Sequence, residues 1–184
     1  MAWTIGTGTF EDKMLPHLNA AYNLARWLTG NVDDAEEAVQ DAYLRALRFF
    51  SDYRGGDGRA WLLQIVRNAC YTRLRKKIPH LSDAEFDEEI HTQEYSSGTP
   101  ETITIKNADS KMVRKVIEEL PLKFREVIIL REIEGMSYSE MGKILNESLG
   151  NIRTILFRAR QQLKKRLIEI TTQQNSKFRL AAGD

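Results

Sequence analysis

The run from Gly135 to Arg160, GMSYSEMGKILNESLGNIRTILFRAR, constrains this chain more than any other. It spells two helices divided by a turn too short for anything but an abrupt change of direction. Ser137 and Glu140 stand at capping-box spacing, in which each side chain answers the other residue's backbone N–H, so a helix is expected from about Tyr138. Asn146 accepts a left-handed backbone and is placed to end that helix after Leu145. Glu147 and Ser148 leave a short turn, and a longer helix is expected to run on to about Ile170. At about 100° per residue, Ile152, Ile155, Leu156, Ala159, Leu163 and Leu167 share one side of that helix. Arg153, Thr154, Phe157 and Arg158 share the other, within roughly 140°. Arginine forks suit guanine edges and phosphates, while Thr and Phe can meet a thymine methyl. A basic helix by itself is commonly a solvated face. The capped helix and tight turn in front of this one make a DNA-reading helix-turn-helix the better reading. Arg160, Lys164, Lys165 and Arg166 follow, opposed by Glu169 alone, a run suited to phosphate contacts.

The rest of the chain must explain what such a reader is attached to. A length of 184 residues is comfortable for two small domains. The formal charge of +1 conceals a division along the chain. Residues 1–77 carry 11 Lys/Arg against 9 Asp/Glu, residues 78–108 carry 1 against 7, and residues 109–184 carry 15 against 10. Two mildly basic blocks flanking an acidic one imply two domains and a linker. Cys70 is the single cysteine, so no internal disulfide framework exists. His17, His80 and His91 are scattered and make no zinc spacing with it, so no metal or other cofactor is expected. No apolar run approaches the roughly 18–20 residues of a membrane span, and the N-terminus lacks a basic-then-apolar signal pattern. A cytoplasmic chain without membrane insertion is expected.

Nearly every segment has a helical period, so the expected fold class is all-α. Leu15, Leu18, Ala21, Tyr22, Ala25 and Leu28 mark a first helix from Phe10 to Leu28, with Gly30 able to cap it. Asp33 followed by Glu36 resembles a capping box opening a second helix, about Asp34 to Phe50. That helix buries some combination of Ala35, Ala38, Val39, Ala42, Leu44 and Leu47, and its other face carries Glu36, Glu37, Gln40, Asp41 and Arg45. Gly55, Gly56 and Gly58 mark a loop from Ser51 to Arg59. A third helix follows from Ala60 to about Lys77, with Gln64, Arg67, Asn68, Tyr71 and Arg75 on one arc. Between Arg67 and Lys77 there are five basic residues and no acidic one, which suits a nucleic-acid surface as well as a solvated one. Pro79 to Ala108 lacks a sustained period and reads as an acidic linker with a short helical piece near Asp83–Ile90. Regular structure resumes near Ser110, with Met112, Val113, Val116, Ile117 and Leu120 on one helix. Pro121 can open the next, whose buried side is Val127, Ile128, Leu130 and Ile133, and Gly135 closes it.

At this level three classes of protein stay open. A conventional helix-turn-helix regulator would bind an operator unaided, usually as a dimer. An adaptor would bind proteins without reading DNA. An enzyme acting on nucleic acid would need clustered acids for metal or a nucleophile beside a base, and the acids here are dispersed along helix surfaces.

Two blocks of residues carry a resemblance that narrows this choice. DAEEAVQDAYLRAL, Asp34 to Leu47, resembles region 2.2 of the sigma-70 family of transcription initiation factors, and Trp61 to Arg75 resembles its region 2.3–2.4 helix. Glu119 to Met141, together with the Arg-Ala-Arg helix, resembles region 4. Two domains and a linker with nothing added is the layout of the extracytoplasmic-function, or ECF, group. The likeness covers about residues 10–77 and 109–168.

The resemblance implies a non-enzymatic factor that binds core RNA polymerase through the β′ clamp helices and the β flap, and directs it to promoter DNA. Asp34, Glu37, Gln40, Asp41, Leu44 and Arg45 would then meet polymerase. Arg54, Arg59, Trp61, Gln64, Arg67, Asn68, Tyr71 and Arg75 would act on the −10 element, with the loop from Ser51 to Arg59 receiving a flipped base. Asn151, Arg153, Thr154, Phe157 and Arg158 would read the −35 element. The acidic linker would run along the polymerase cleft, and an anti-sigma factor would occlude both domains. The sequence also departs from the family. Its recognition helices commonly begin Pro-x-Gly-Thr-Val, where this chain has Ser148-Leu-Gly-Asn-Ile152, and Ile155 stands where a polar or basic residue is common.

Overall fold

In the computed structural model, residues 8–77 and 107–181 are described, with side chains at 8–77 and 111–173. Every regular element among them is helical. The acidic segment and the short helix anticipated near Asp83–Ile90 lie outside the described residues.

The first unit is built from α1 (Phe10–Met14), α2 (Leu18–Thr29), α3 (Val32–Arg48) and α4 (Gly58–Lys77). Thr9 and Asp12 cap α1 reciprocally, at 3.2 and 3.0 Å. Pro16 then tightens the chain into a 3-10 turn over Leu15–His17. The expected single helix from Phe10 to Leu28 is thereby split, its periodicity is reset, and Leu15 and Leu18 are turned to solvent. Gly30 ends α2 in the left-handed conformation, as anticipated. The cap of α3 is Asn31 rather than Asp33: the Asn31 side chain accepts the Asp34 N–H at 3.1 Å. Asp33 and Asp34 fall inside the first turn, where acids complement the positive helix end.

α3 buries Ala35, Ala38, Val39, Ala42 and Ala46. Small residues on that stripe let its backbone lie close to α2 and α4. Leu44 and Leu47, candidates for the core, stand outside on the opposite side. A row of rings anchors the connection into α4: Phe10 meets Phe50 edge-on at 5.3 Å, Phe50 stacks on Tyr53 at 5.8 Å, and Tyr53 lies 5.0 Å from Trp61. The Tyr53 hydroxyl donates to the Gly56 carbonyl at 2.8 Å, and Asp57 accepts the Ala60 N–H at 3.0 Å, which fixes the start of α4.

The second unit contains α5 (Asn107–Glu118), α6 (Leu122–Ile128), α7 (Tyr138–Leu145) and α8 (Leu149–Ala181). Pro121 precedes α6 as its cap residue. The chain leaves α6 through a π turn over Ile129–Ile133, and this wider turn breaks the 3.6-residue period. Ile133, which periodicity puts on the buried stripe, is therefore exposed. The capping box of α7 forms as read, with the Glu140 N–H donating to Ser137 Oγ at 3.2 Å and the Ser137 N–H donating to Glu140 at 2.6 Å. Asn146 is the one described non-glycine residue with positive φ, at 54°, and it closes α7. Gly142 lets the two helices of the motif approach: a Cβ there would lie 3.2 Å from the Glu147 carbonyl oxygen. α8 extends past the expected end near Ile170 to Ala181.

The two units are packed against each other. Buried residues of both form one continuous hydrophobic cluster. α6 lies against α2, and α7 lies against α4. The Arg125 guanidinium donates to the Trp27 carbonyl at 3.2 Å, across the boundary.

Candidate nucleic-acid and polymerase interfaces

The helix-turn-helix presents the face its periodicity implies. Ile152, Ile155, Leu156 and Ala159 are buried, which holds α8 down, and Leu163 is partly buried against the same core. Arg153, Thr154, Phe157 and Arg158 all point outward. Phe157 is 63% exposed, a ring left in water between two arginines. Arg153 lies 5.8 Å from the Tyr138 ring centre, so α7 helps to aim it. The Thr154 hydroxyl donates back to the Gly150 carbonyl at 3.1 Å, which leaves its methyl outward.

The departures at the start of α8 acquire physical roles. Ser148 Oγ accepts the Asn151 N–H at 3.2 Å and so caps the helix in place of a proline entry. Asn151 Nδ2 donates to Glu147 at 2.5 Å, so this amide is engaged within the turn. Ile155 is buried, which accounts for an apolar residue at that position. Farther along, Arg160 pairs with Glu132 at 2.5 Å, so part of the basic run is already neutralised by its own unit.

The candidate residues of α4 and of the loop before it divide into two sets. Arg54 in the loop and Asn68 and Arg75 on α4 are exposed, and Trp61 and Gln64 are half-buried. Arg59, Arg67 and Tyr71 instead face the second unit. Arg67 Nε donates to Glu126 Oε1 at 2.7 Å, its Nη2 to Oε2 at 3.3 Å, and the Tyr71 hydroxyl donates to Oε2 at 3.1 Å. The Arg67 guanidinium also lies 4.4 Å over the Tyr71 ring. Burial alone would lower the Arg67 pKa, but the Glu126 charge and Tyr71 together raise it above the ordinary value. Arg59 pairs with Glu134, which also accepts from Asn23 Nδ2 at 2.5 Å. Beneath this surface the Cys70 thiol is buried, and burial with the charge of Glu126 pushes its pKa up to about 12.

Along α3, Glu37, Gln40, Asp41, Leu44 and Arg45 are exposed. Leu44 is 67% exposed, an apolar side chain ringed by charge. Arg73 of α4 pairs with Glu37 and, at 3.4 Å, with Asp41, and Lys77 pairs with Asp34. These basic residues of α4 therefore hold the acidic row of α3 in place.

Periodicity missed the three charged residues that join the units: Arg125, Glu126 and Glu134. A signal was present, since Glu126 stands four residues after the buried Leu122 on the same side of α6. A carboxylate on an apolar stripe must find a partner, and here the partner is Arg67, 59 residues away.

Among the described residues no group of His, Cys, Asp and Glu could hold a metal ion, and no helix is long and apolar enough to cross a membrane.

Comparison with known proteins agrees with this geometry. Residues 14–78 match the family model for sigma-70 region 2, and residues 110–163 match that for sigma-70 region 4. The chain thus belongs to the sigma-70 family of RNA polymerase sigma factors. Within that family, relatives that it matches include sigma factors of the ECF group. It is 30% identical to the ECF sigma factor SigW of Bacillus subtilis, over 88% of this chain and 90% of that protein. It is 30% identical to SigE of Mycolicibacterium smegmatis over 85% of this chain, and spans 60% of that longer protein. Among solved structures it resembles the sigma factor RpoE of Bartonella quintana in complex with the anti-sigma factor NepR. There the TM-score is 0.68 and the identity 27%, over 86% of this chain and 96% of that one.

Proposed function

We propose that this sigma factor divides its work among residues 1–77, which bind core polymerase and the −10 element, an acidic linker over 78–108, and residues 109–184, which read the −35 element. Asp34, Glu37, Gln40, Asp41, Leu44 and Arg45 of α3 meet polymerase. Arg54, Arg59, Trp61, Gln64, Arg67, Asn68, Tyr71 and Arg75 engage the −10 element. Arg153, Thr154, Phe157 and Arg158 read the −35 element in the major groove, with Asn151 positioning the entry to α8. The observation that carries this reading is the outward Arg153, Thr154, Phe157 and Arg158 face on a helix whose other face is buried. The chain performs no chemistry of its own, works in the cytoplasm with polymerase and acts on promoter DNA. Flipping a base from its stack costs a few kcal/mol, and the ring row ending at Trp61 offers a rigid wall against which that cost is offset.

Control by an anti-sigma factor is supported by the likeness to RpoE, a chain solved with such a partner, over a span that includes both units. The test is run-off transcription on genomic fragments by core polymerase with and without this chain. Discrete new start sites that depend on the chain are expected. Tight operator binding by the chain alone, with no effect on polymerase, would make it a conventional regulator.

A further inference from the structure

We infer that Arg73 is a positioning residue for polymerase docking: it presets the carboxylates of Glu37 and Asp41 on the outer face of α3 without itself touching polymerase. This role rests on the assignment of that face to polymerase.

Arg73 and Lys77 leave α4 about 140° and 180° around from Asn68, toward α3 and away from the side proposed for DNA. The two cations stand one helical turn apart and meet a stripe of acids with matching spacing. Lys77 pairs with Asp34, and Arg73 pairs with Glu37 and, at 3.4 Å through Nη1, with Asp41. Glu37 and Asp41 are themselves one turn apart, a spacing at which like charges repel. The fork of Arg73 answers both, one terminal nitrogen to each.

Exposure is divided unequally across this group. The Arg73 side chain is 24% exposed, whereas those of Glu37 and Asp41 are 59% and 49%. The guanidinium is mostly covered, and each carboxylate keeps a free edge toward solvent. A cationic surface that docks there meets acids already oriented, so it avoids the cost of ordering two side chains on binding.

Stability does not account for the arrangement. Arg73 Nε is buried with no hydrogen-bond acceptor among the described residues. A buried N–H without an acceptor costs more than exposed ion pairs return. An apolar side chain of similar reach would serve the α3–α4 contact as well or better. What the arginine adds is order in the acidic row.

The experiment sets core-polymerase affinity of the full chain, read by competition titration, beside melting temperature. The variants are Arg73→Met, Arg73→Lys, Glu37→Gln/Asp41→Asn and Arg73→Met in that double background. Arg73→Met should bind roughly three- to tenfold more weakly while its melting temperature holds or rises, a split that a merely structural arginine does not give. Arg73→Lys should recover part of the loss, because an ammonium is a single point charge where the guanidinium is a fork. In the Glu37→Gln/Asp41→Asn background, Arg73→Met should cost nothing further, since the groups it acts through are gone. Wild-type affinity in Arg73→Met overturns the role, and so does a melting temperature that falls with the affinity. A full loss persisting in the double background also overturns it, by making Arg73 a direct contact. Should Arg73→Met lose helix by circular dichroism, Arg73→Lys in both backgrounds decides by the same comparison. If Glu37→Gln/Asp41→Asn alone binds polymerase as tightly as wild type, the assignment of α3 to polymerase fails. The positioning itself is then scored in the free chain by nitrogen NMR. The two Nη groups of Arg73 should give separate, slowly rotating signals in wild type that merge in Glu37→Gln/Asp41→Asn, and merged signals in wild type overturn the positioning.

Discussion

Arg67 Nε and Glu126 Oε1 stand 2.7 Å apart although 59 positions separate them in the chain. One lies on the helix proposed to open promoter DNA, the other on a helix of the unit proposed to recognise it at a distance. Their pairing couples the two halves of the factor, and it makes the exposed faces the informative ones to alter first.

The recognition face should tolerate substitution structurally and not functionally. Arg153→Ala and Arg158→Ala remove exposed side chains, so core-polymerase affinity and thermal stability should be unchanged. A bidentate base contact is worth roughly 1–3 kcal/mol, so promoter-specific transcription should fall by roughly 5- to 150-fold at each position. Lys165→Ala, on the exposed tail of α8, should cost less. Equal and small losses at all three would remove α8 from its role.

Leu44 separates binding from folding in the same way. Its truncation to Ala creates no cavity, because the side chain is 67% exposed. If it buries against polymerase, the loss is about 1–2 kcal/mol by area, which is roughly a 5- to 30-fold weaker affinity for core enzyme in a competition titration. Melting temperature should not move. Unchanged affinity would place the polymerase contact elsewhere.

The cap of α7 makes a pH prediction. Hydrogen bonds from Ser137 hold the Glu140 carboxyl below its ordinary value of 4.5. A depressed folded value means that the stabilisation is complete above the unfolded value and is lost as pH falls through the folded one. Ser137→Ala should destabilise the helix-turn-helix by about 1 kcal/mol near neutral pH. Glu140→Gln should flatten the loss of stability seen below about pH 4.5 in thermal melts across pH, and an unchanged acid limb would contradict the assignment.

The helix-turn-helix was legible because its signals are local. The Ser137/Glu140 box, the left-handed Asn146 and the apolar stripe of α8 all act within a few residues, and each is where the sequence implies. Local competition defeated the expectations at α3 and α1. Asn31 captured the cap from Asp33, and Pro16 reset the periodicity that would have buried Leu15 and Leu18. Ile133 went outward because a π turn follows α6, and no residue of that run announces one. Of the candidate sites, the faces proposed for the −35 element and for polymerase are solvent-exposed apart from Asp34, which Lys77 holds, whereas Arg59, Arg67 and Tyr71 are engaged by Glu134 and Glu126. That engagement depends on how two units with no sequence proximity dock, which periodicity along one helix does not encode.

The most direct measurement is footprinting of promoter fragments by the complex of this chain with core polymerase, using nuclease protection for the −35 region and permanganate for unpaired thymines at −10. Asn68 is exposed on α4, and the hydrogen bonds described between the units are made by other residues, so Asn68→Ala tests the −10 face with those bonds left in place. The account predicts that wild type gives both signals only with polymerase, that Asn68→Ala keeps −35 protection and loses permanganate reactivity, and that Arg153→Ala/Arg158→Ala loses both. Protection by the free chain alone, or permanganate reactivity undiminished in Asn68→Ala, would contradict it.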